Sequence, residues 1–311
     1  MPSLTEQAPR SDRRTLTAAL AGAVIISFSA IFFALSGADP VTGAFFRTAY
    51  ALPALALIWL ARRPPGGRHR RARLVGLGAG LALGLDIVFW HTAIDLIGTG
   101  LATLLANTQV VLVGVIAWLI LGERPRKQLF WAIPVILVGV AMVSGVGQGD
   151  AFGTNPIAGT GLALLAALFY ALFLLGFRQS NTTGTSAAGP LMEATAGAMG
   201  ATVVVGLLWT GIDLTFSWPA HRWLLALALG AQVLGWLLIG YALPRLPAVE
   251  TATVILIQPA LTMFWGVLIF GERPSVLQTL GAIVVLGGVG YVALNRAGVA
   301  AETDALVSGP G

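Results

Sequence analysis

The sequence predicts an all-α membrane protein whose ten transmembrane helices form two inverted five-helix repeats. Three observations support this fold class. The 311 residues are 57% hydrophobic and only 10% charged, whereas soluble proteins contain about 25% charged residues. Ten long apolar segments follow one another along the chain. The second half of the chain also repeats polar motifs of the first half at a constant spacing.

The ten apolar segments each approach the length of a membrane-spanning helix, which is about 20 residues. Gly, Pro and charged residues separate them. We expect cytoplasmic tails at 1–14 and 296–311, a first repeat at 15–146 and a second repeat at 157–295. The predicted helices are 15–35, 41–61, 74–95, 99–121, 128–146, 157–177, 188–210, 222–243, 248–270 and 275–295.

The distribution of basic residues predicts that both termini face the cytoplasm. In that orientation the cytoplasmic segments hold fifteen Arg and Lys residues: three in the N-terminal tail, six in 62–73 and six in later segments. The external loops hold only Arg222 and Arg273, and Arg47 lies within a helix. Because cytoplasmic loops are enriched in Lys and Arg, we interpret 62–73 as such a loop rather than as a nucleic-acid site. The excess of Arg over Lys suggests a GC-rich bacterial genome, so we expect a multi-pass protein of a bacterial inner membrane.

Several function classes are excluded by what the sequence lacks. It has no cysteine, so disulfides, thiolate nucleophiles, Fe–S clusters and Cys-ligated zinc are impossible. Its three histidines, His69, His91 and His221, are scattered, and its single lysine, Lys127, does not belong to a phosphate-binding loop,. We therefore expect no metal, no cofactor and no enzymatic activity. An intramembrane enzyme acting on lipid would also need clustered His, Asp and Glu residues.

The internal repeat is the most informative feature. A shift of 149 residues aligns the motif Gly-Glu-Arg-Pro at 122–125 with the same motif at 271–274, and it aligns Gln109 with Gln258 and Gly139 with Gly288. Each half contains five predicted crossings, so the second half enters the membrane upside down. Inverted repeats are typical of alternating-access carriers, which bind substrate near the bilayer midplane. An open channel is therefore disfavoured.

The repeated motifs resemble a known module. The stretch from Tyr241 to Pro259, together with Gly-Glu-Arg-Pro at 271–274 and a Gly-rich last helix, resembles the EamA module of the drug/metabolite transporter superfamily. The resemblance covers about 15–295 and is strongest for helices 3–5 and 8–10. It implies ten helices and carrier-mediated movement of small metabolites, often outward. One departure is that Pro259 follows the glutamine of the second repeat, whereas Val110 occupies that place in the first.

Four ionisable residues lie well inside predicted helices: Arg47, Asp86, His91 and Glu193. Each costs about 2.5–3.5 kcal/mol at the centre of a membrane helix, so each needs a partner or a function. Asp86 is near the midplane with Trp90 one turn further on the same face, whereas His91 points elsewhere. We predict that Arg47 interacts with Asp86, either directly or in competition with the carboxylate of a bound substrate.

The same ionisable residues are candidates for proton coupling. Asp86, Glu193 and His91 are the residues we assign to this role. Two alternatives remain open: Asp86 belongs to a neutralised pair that holds helices together, or Glu193 reaches the inner interface along its apolar stem. Glu193 near the inner mouth is also placed to attract cations.

Two glutamines related by the repeat, Gln109 and Gln258, are expected to line a polar cavity at the midplane. The alternative is an interhelical hydrogen bond worth about 0.6 kcal/mol. Asn107 lies about 160° around the helix from Gln109, so we expect both to be binding residues but at most one of them to face the cavity squarely. Pro259 leaves a backbone carbonyl unpaired beside Gln258. Aromatic side chains are predicted to form the apolar walls, namely Phe89, Trp90, Tyr170, Trp236 and Tyr241.

Taken together, these features predict a secondary transporter that moves small metabolites by alternating access. Amino acids or related carboxylates, moved outward, are the preferred substrate class. The partners are the small-molecule substrate and the lipid bilayer, and the sequence leaves open proton coupling, facilitated diffusion and a homodimer. The alternative function is a lipid-carrier flippase, or an accessory subunit, on the same fold.

Overall fold

The computed structural model describes residues 13–63, 67–122, 127–181, 187–242, 246 and 248–307, and every regular element within them is a helix. We number the helices in chain order. They are α1 (Arg13–Ser36), α2 (Pro40–Arg62), α3 (Arg70–Ala106), α4 (Gln109–Leu121), α5 (Lys127–Val143), α6 (Pro156–Ser180), α7 (Ala188–Leu208), α8 (Trp218–Ala242), α9 (Ala248–Phe270) and α10 (Val276–Val307).

Seven of the described helices are long and apolar enough to cross a membrane: α1, α2, α3, α6, α7, α8 and α10. The apolar parts of α4, α5 and α9 are shorter, between 10 and 17 residues. The predicted class, an all-α protein with several membrane spans, is confirmed. The count of ten crossings stays a prediction.

The predicted boundary between helices 3 and 4 is a sharp turn inside α3. Gly98 has φ 81° and ψ 169° there, a conformation that suits glycine because it has no Cβ. The short helical segment that follows, 99–106, ends at Asn107, and α4 begins at Gln109. The prediction of one unbroken helix over 99–121 is therefore wrong.

The break between α3 and α4 contains neither proline nor glycine. The Asn107 side-chain amide donates to the carbonyl of Thr103 at 2.8 Å, and the Thr108 hydroxyl donates to the carbonyl of Leu105 at 2.7 Å. These side chains satisfy carbonyls of the last turn and so compete with continuation of the helix. The second repeat shows the opposite: α9 contains a proline, Pro259, and yet it continues without a break.

Three other helices differ from the predicted segments. α1 is interrupted at Phe28, and α8 contains a π-helical stretch at Ala226–Gly235. α10 continues to Val307, past the predicted end at 295, because four of the twelve residues 296–307 are alanine, the strongest helix former,. Part of the expected C-terminal tail is therefore helical.

Packing between the helices is reciprocal between the two halves. α3 packs on α6 and α7, and its counterpart α8 packs on α1 and α2. α4 contacts α6 in the same way that α9 contacts α1. The pairs α5–α10 and α2–α7 each join a helix to its own counterpart. A twofold relation between two similar units produces this pattern.

Individual contacts in the α5–α10 pair repeat the pattern. A Cβ on Gly139 would lie 2.9 Å from Val285, and a Cβ on Gly288 would lie 2.5 Å from Ile136. The shift of 149 residues relates Gly139 to Gly288 and Ile136 to Val285. Each contact is thus the counterpart of the other, with the two halves exchanged. The upside-down insertion of the second half stays a prediction from its odd number of crossings.

Close approach of α3 and α7 depends on the glycines of α3. A Cβ on Gly80 would collide with the backbone of Ala194, and a Cβ on Gly84 would lie 2.6 Å from the carbonyl oxygen of Ala198. Small residues let membrane helices approach closely enough for dispersion contacts to hold them together.

A buried carboxylate joins the two halves at the Gly98 turn. Glu272 accepts hydrogen bonds from the Thr99 amide, from the Thr99 hydroxyl at 2.7 Å and from the Gly100 amide at 3.0 Å. A Cβ on Gly98, Gly100 or Gly266 would press on this carboxylate. Glu272 therefore caps the segment 99–106, where the helix dipole favours a negative charge. Its counterpart in the first repeat, Glu123, lies outside the described residues.

At the other end of α3, a second buried carboxylate is neutralised by arginine. Arg68 Nε lies 3.1 Å from both carboxylate oxygens of Glu193, and its Nη2 donates to Ser180 at 2.7 Å. Both charged side chains are 5% exposed. Arg73 also approaches Glu193, at 3.7 Å, but it is 62% exposed. The connection before α3 is thereby fixed to α6 and α7.

Removal of the Glu272 cap is expected to destabilise the fold. In Glu272→Ala the Thr99 and Gly100 amides lose a buried acceptor, which costs about 1–3 kcal/mol for each unsatisfied group. Thermal unfolding in detergent, followed by tryptophan fluorescence, should show a clear drop in melting temperature. The matched control is Asp150→Ala, which removes an exposed carboxylate and should change stability by at most about 0.5 kcal/mol. Equal melting temperatures for the two variants would contradict the cap.

The two arginines near Glu193 should differ sharply in their effect on stability. Arg68→Ala leaves a buried carboxylate without its main partner, which costs about 3–5 kcal/mol. Arg73→Ala removes an exposed cation and should cost at most about 1 kcal/mol. Melting temperatures of the two variants test this, and similar values would show that the buried pair does not hold α3 to α6 and α7.

Candidate functional site

A cavity of about 230 Å³ lies between the two halves of the chain. Its polar lining residues come from both repeats, and its apolar walls include three large aromatic side chains. Its volume suits one small molecule rather than a macromolecular ligand. The lining residues are Ala23, Ile26, Ser29, Arg47, Leu83, Asp86, Trp90, Thr103, Ala106, Asn107, Gln109, Tyr170, Leu174, Trp236, Ile239, Val254 and Gln258.

The positive charge in this lining is Arg47 on α2. Its Nε donates to Gln232 Oε1 at 2.9 Å, and its Nη1 donates to Ser29 Oγ at 3.3 Å. The guanidinium carbon lies 5.8 Å from the centre of the Trp90 ring, within the range of a cation–π attraction. Arg47 is buried, so these contacts hold the cation in one place.

The negative charge is Asp86 on α3, with Trp90 one turn further along the same wall, as their spacing predicts. Arg47 and Asp86 both line this one cavity. However, the guanidinium nitrogens of Arg47 and the carboxylate oxygens of Asp86 are more than 4.0 Å apart, so these two residues do not form an ion pair. The direct form of the predicted interaction is therefore corrected: Arg47 bonds instead to neutral groups, which leaves both charges facing the cavity.

The amides related by the repeat both reach the cavity. Gln109 and Gln258 line it together with Asn107. Asn107 follows the end of α3 and Gln109 begins α4, and the expectation that at most one of these two faces the cavity squarely stays a prediction. Thr103, also in the lining, has a buried hydroxyl without a hydrogen-bond partner. Such a group is costly unless something bonds to it.

Aromatic side chains form one wall of the cavity. Trp236 on α8 meets Tyr170 on α6 edge to face, with ring centres 6.3 Å apart, and Trp90 lies on α3. Phe89 packs instead against Phe169 and is not among the lining residues. Tyr241 is also absent from the lining, and its side chain is 47% exposed, because it lies at the end of α8.

Two of the proton-coupling candidates lie away from the cavity. His91 is fully buried, stacks on Phe33 with ring centres 3.7 Å apart, and donates from Nδ1 to the carbonyl of Pro40. Glu193 is the partner of Arg68. Of the three candidates, Asp86 is the one that lines the cavity.

Three polar residues at the site were missed by sequence reasoning: Ser29 and Thr103, which line the cavity, and Gln232, which bonds to Arg47. Gln232 has no exposed surface and lies in the π-helical stretch of α8; such stretches occur frequently at functional sites. Its amide accepts from Arg47 and donates to Thr195 Oγ1 at 3.2 Å. The available signal was a lone amide in the apolar run Leu-Ala-Leu-Gly-Ala-Gln-Val-Leu-Gly at 227–235.

Two bacterial proteins that resemble this chain are named as a transporter and an exporter. The uncharacterized transporter YcbK of Bacillus subtilis is 26% identical over 82% of this chain and 83% of its own length. The pseudopaline exporter CntI of Pseudomonas aeruginosa is 26% identical over 81% of this chain and 84% of its own length. A solved structure, described simply as the crystal structure of a protein, has 17% identity and a TM-score of 0.60 over 90% of this chain and 98% of its own, which shows a shared fold.

A family profile accounts for both halves of the chain. The profile of the EamA-like transporter family matches residues 13–145 and again residues 157–294. The two matches cover both halves of the internal repeat and all of the residues that line the cavity. The chain is therefore a transporter and not an enzyme, and it belongs to the EamA-like transporter family.

Proposed function

We propose that this chain is a secondary carrier that moves small carboxylate-bearing metabolites, amino acids above all, outward across a bacterial inner membrane. The observation that carries the proposal is the cavity between the two halves, whose lining contains one cation, Arg47, one carboxylate, Asp86, and three side-chain amides. A cavity with balanced charge favours a molecule that is neutral overall and carries both signs. An amino acid at neutral pH is such a molecule.

The other lining groups suit the rest of an amino acid. Gln109 and Gln258 offer donors and acceptors without adding charge, and Trp90, Tyr170 and Trp236 offer apolar surface for a side chain. The unpartnered Thr103 hydroxyl gains a hydrogen bond when the cavity is occupied. Pockets for small molecules have this composition: mostly apolar walls with a few well-placed polar groups.

Outward transport by alternating access is supported by two observations. CntI, at 26% identity, is a pseudopaline exporter. The reciprocal packing of the two halves suits a carrier in which one repeat moves against the other around a fixed site. We further propose that both termini are cytoplasmic, since the basic residues concentrate on that side, and that Asp86 is the coupling carboxylate.

Substrate movement is measured directly in reconstituted vesicles. Vesicles that contain the chain and are loaded with an unlabelled amino acid should take up the same labelled amino acid by exchange, and the rate should saturate. Empty vesicles are the control. Absence of exchange for every amino acid and related carboxylate would contradict the substrate class, and it is the outcome that a lipid-carrier flippase or an accessory subunit predicts.

Proton coupling is tested by Asp86→Asn, which keeps the side-chain shape and removes the titratable group. Exchange between equal pools needs no driving force, so Asp86→Asn should still exchange substrate. It should do so with a weaker apparent affinity, because the variant also loses the charge that faces the ammonium group of an amino acid. Accumulation driven by a pH gradient should fall to the level of empty vesicles. The matched control is Asp95→Asn on α3, whose side chain is exposed and outside the cavity lining. Gradient-driven accumulation by Asp86→Asn at the wild-type rate would show that Asp86 does not carry the proton.

A further inference from the structure

Gln232 does not line the cavity, yet it holds the cation that does. It has no exposed surface, and its two amide atoms reach two different helices: Oε1 accepts from Arg47 Nε on α2 at 2.9 Å, and Nε2 donates to Thr195 on α7 at 3.2 Å. The orientation of this amide follows from its neighbours. A guanidinium has no acceptor, so the amide oxygen must face Arg47 and the amide nitrogen must face Thr195.

We propose that Gln232 is a positioning residue that turns the terminal edge of the Arg47 guanidinium toward the cavity and thereby selects substrates with a carboxylate. This inference rests on the proposed function and names a residue that sets its specificity. A guanidinium binds a carboxylate through two parallel N–H donors. Those two donors come either from Nε with one terminal nitrogen or from the two terminal nitrogens.

The first of these two edges is occupied. Gln232 Oε1 accepts a hydrogen bond from Nε, so a substrate carboxylate cannot use that edge without displacing a buried amide. Ser29 Oγ accepts a hydrogen bond from one N–H of Nη1, at the longer distance of 3.3 Å. Of the five N–H donors of Arg47, three remain on the terminal nitrogens. Since Arg47 lines the cavity, the terminal edge is the one that a substrate can bind.

The chemical nature of residue 232 matters as much as its position. A glutamate there would have the same shape, but its charge would pair with Arg47 and would repel an incoming carboxylate. Glutamine instead holds the cation without neutralising it. Trp90 adds to this, because its ring attracts the guanidinium at 5.8 Å without supplying a negative charge. Arg47 is therefore fixed by neutral groups and keeps its full charge for the substrate.

Two variants of the full-length protein separate the positioning role from a purely structural one. Gln232→Glu keeps the shape and adds the competing charge. Gln232→Met has a similar length and removes both hydrogen bonds, so Arg47 is no longer held. The matched control is Gln148→Met, the same substitution at a glutamine outside the cavity lining that bonds to Met142 and Ser275. Melting temperatures in detergent identify variants that do not stay folded after extraction. For such a variant, the modification of Arg47 is measured in native membranes instead, beside the wild type in native membranes.

The probe is phenylglyoxal, which forms a ring with the two terminal nitrogens of arginine, and modification of Arg47 is followed by peptide mass spectrometry. The rate is measured against increasing benzoate, a simple aromatic carboxylate, and against benzamide, its neutral counterpart. In the wild type Arg47 should be modified, and benzoate should protect it far better than benzamide. In Gln232→Met, the same protection of Arg47 should need about tenfold more benzoate. The reason is that a guanidinium no longer held in place loses about one charge-assisted hydrogen bond to the carboxylate. In Gln232→Glu, phenylglyoxal should modify Arg47 more slowly even without benzoate, because the new carboxylate pairs with the guanidinium. In Gln148→Met, the rate of Arg47 modification and its protection by benzoate should match the wild type.

Three results would overturn the inference. Arg47 of the wild type resists modification while the exposed Arg73 reacts; benzamide protects as well as benzoate; or Gln232→Met retains wild-type protection by benzoate. Each readout is independent of transport. If vesicles exchange no amino acid but benzoate protection depends on Gln232 as described, the proposed function fails and the role of Gln232 stands.

Discussion

Lipid offers no hydrogen bonds, and this constraint decides what each charged side chain within the helices does. A charge in such a helix must find its partner inside the protein. Glu193 finds Arg68, and Glu272 finds the amides at the start of the segment 99–106. Arg47 is held by uncharged groups, and Asp86 has no ion-pair partner among the described residues. Of these four charges, the two that are fully partnered join helices to one another, and the two without an ion-pair partner line the cavity.

Much of the fold and part of the site follow from the sequence because they depend on local pattern. Apolar segment length identifies the helices, and the 149-residue repeat places Gln109 and Gln258 at one cavity. The four-residue step from Asp86 to Trp90 correctly puts both on one wall. The break at Asn107 could not be predicted in the same way, because side-chain bonds to the preceding turn produce it without proline or glycine. Pro259, the residue that suggested a break, lies in an uninterrupted helix.

Residues without a repeat partner were the hardest to place. The shift of 149 residues puts Leu83 opposite Gln232 and Gly235 opposite Asp86, so no symmetry signal points to either polar residue. Asp86 was found because a carboxylate in a helix is conspicuous, whereas a single amide is tolerated at low cost. The two halves thus share a scaffold and differ in chemistry. The first supplies both charges of the cavity, and the second supplies the amide that orients one of them.

The helical segment 99–106 is separated from its neighbours by a break at each end. Gly98 turns the backbone before it, and the helix ends at Ala106, just before Asn107. It is a rod of about 12 Å at 1.5 Å per residue. One end is tethered to Glu272 of the opposite repeat, and the other carries Thr103 and Asn107 into the cavity. The cavity lining and the α9–α10 turn are therefore connected through a single eight-residue helical segment, and a substitution at Gly98 or Glu272 would change the support of both.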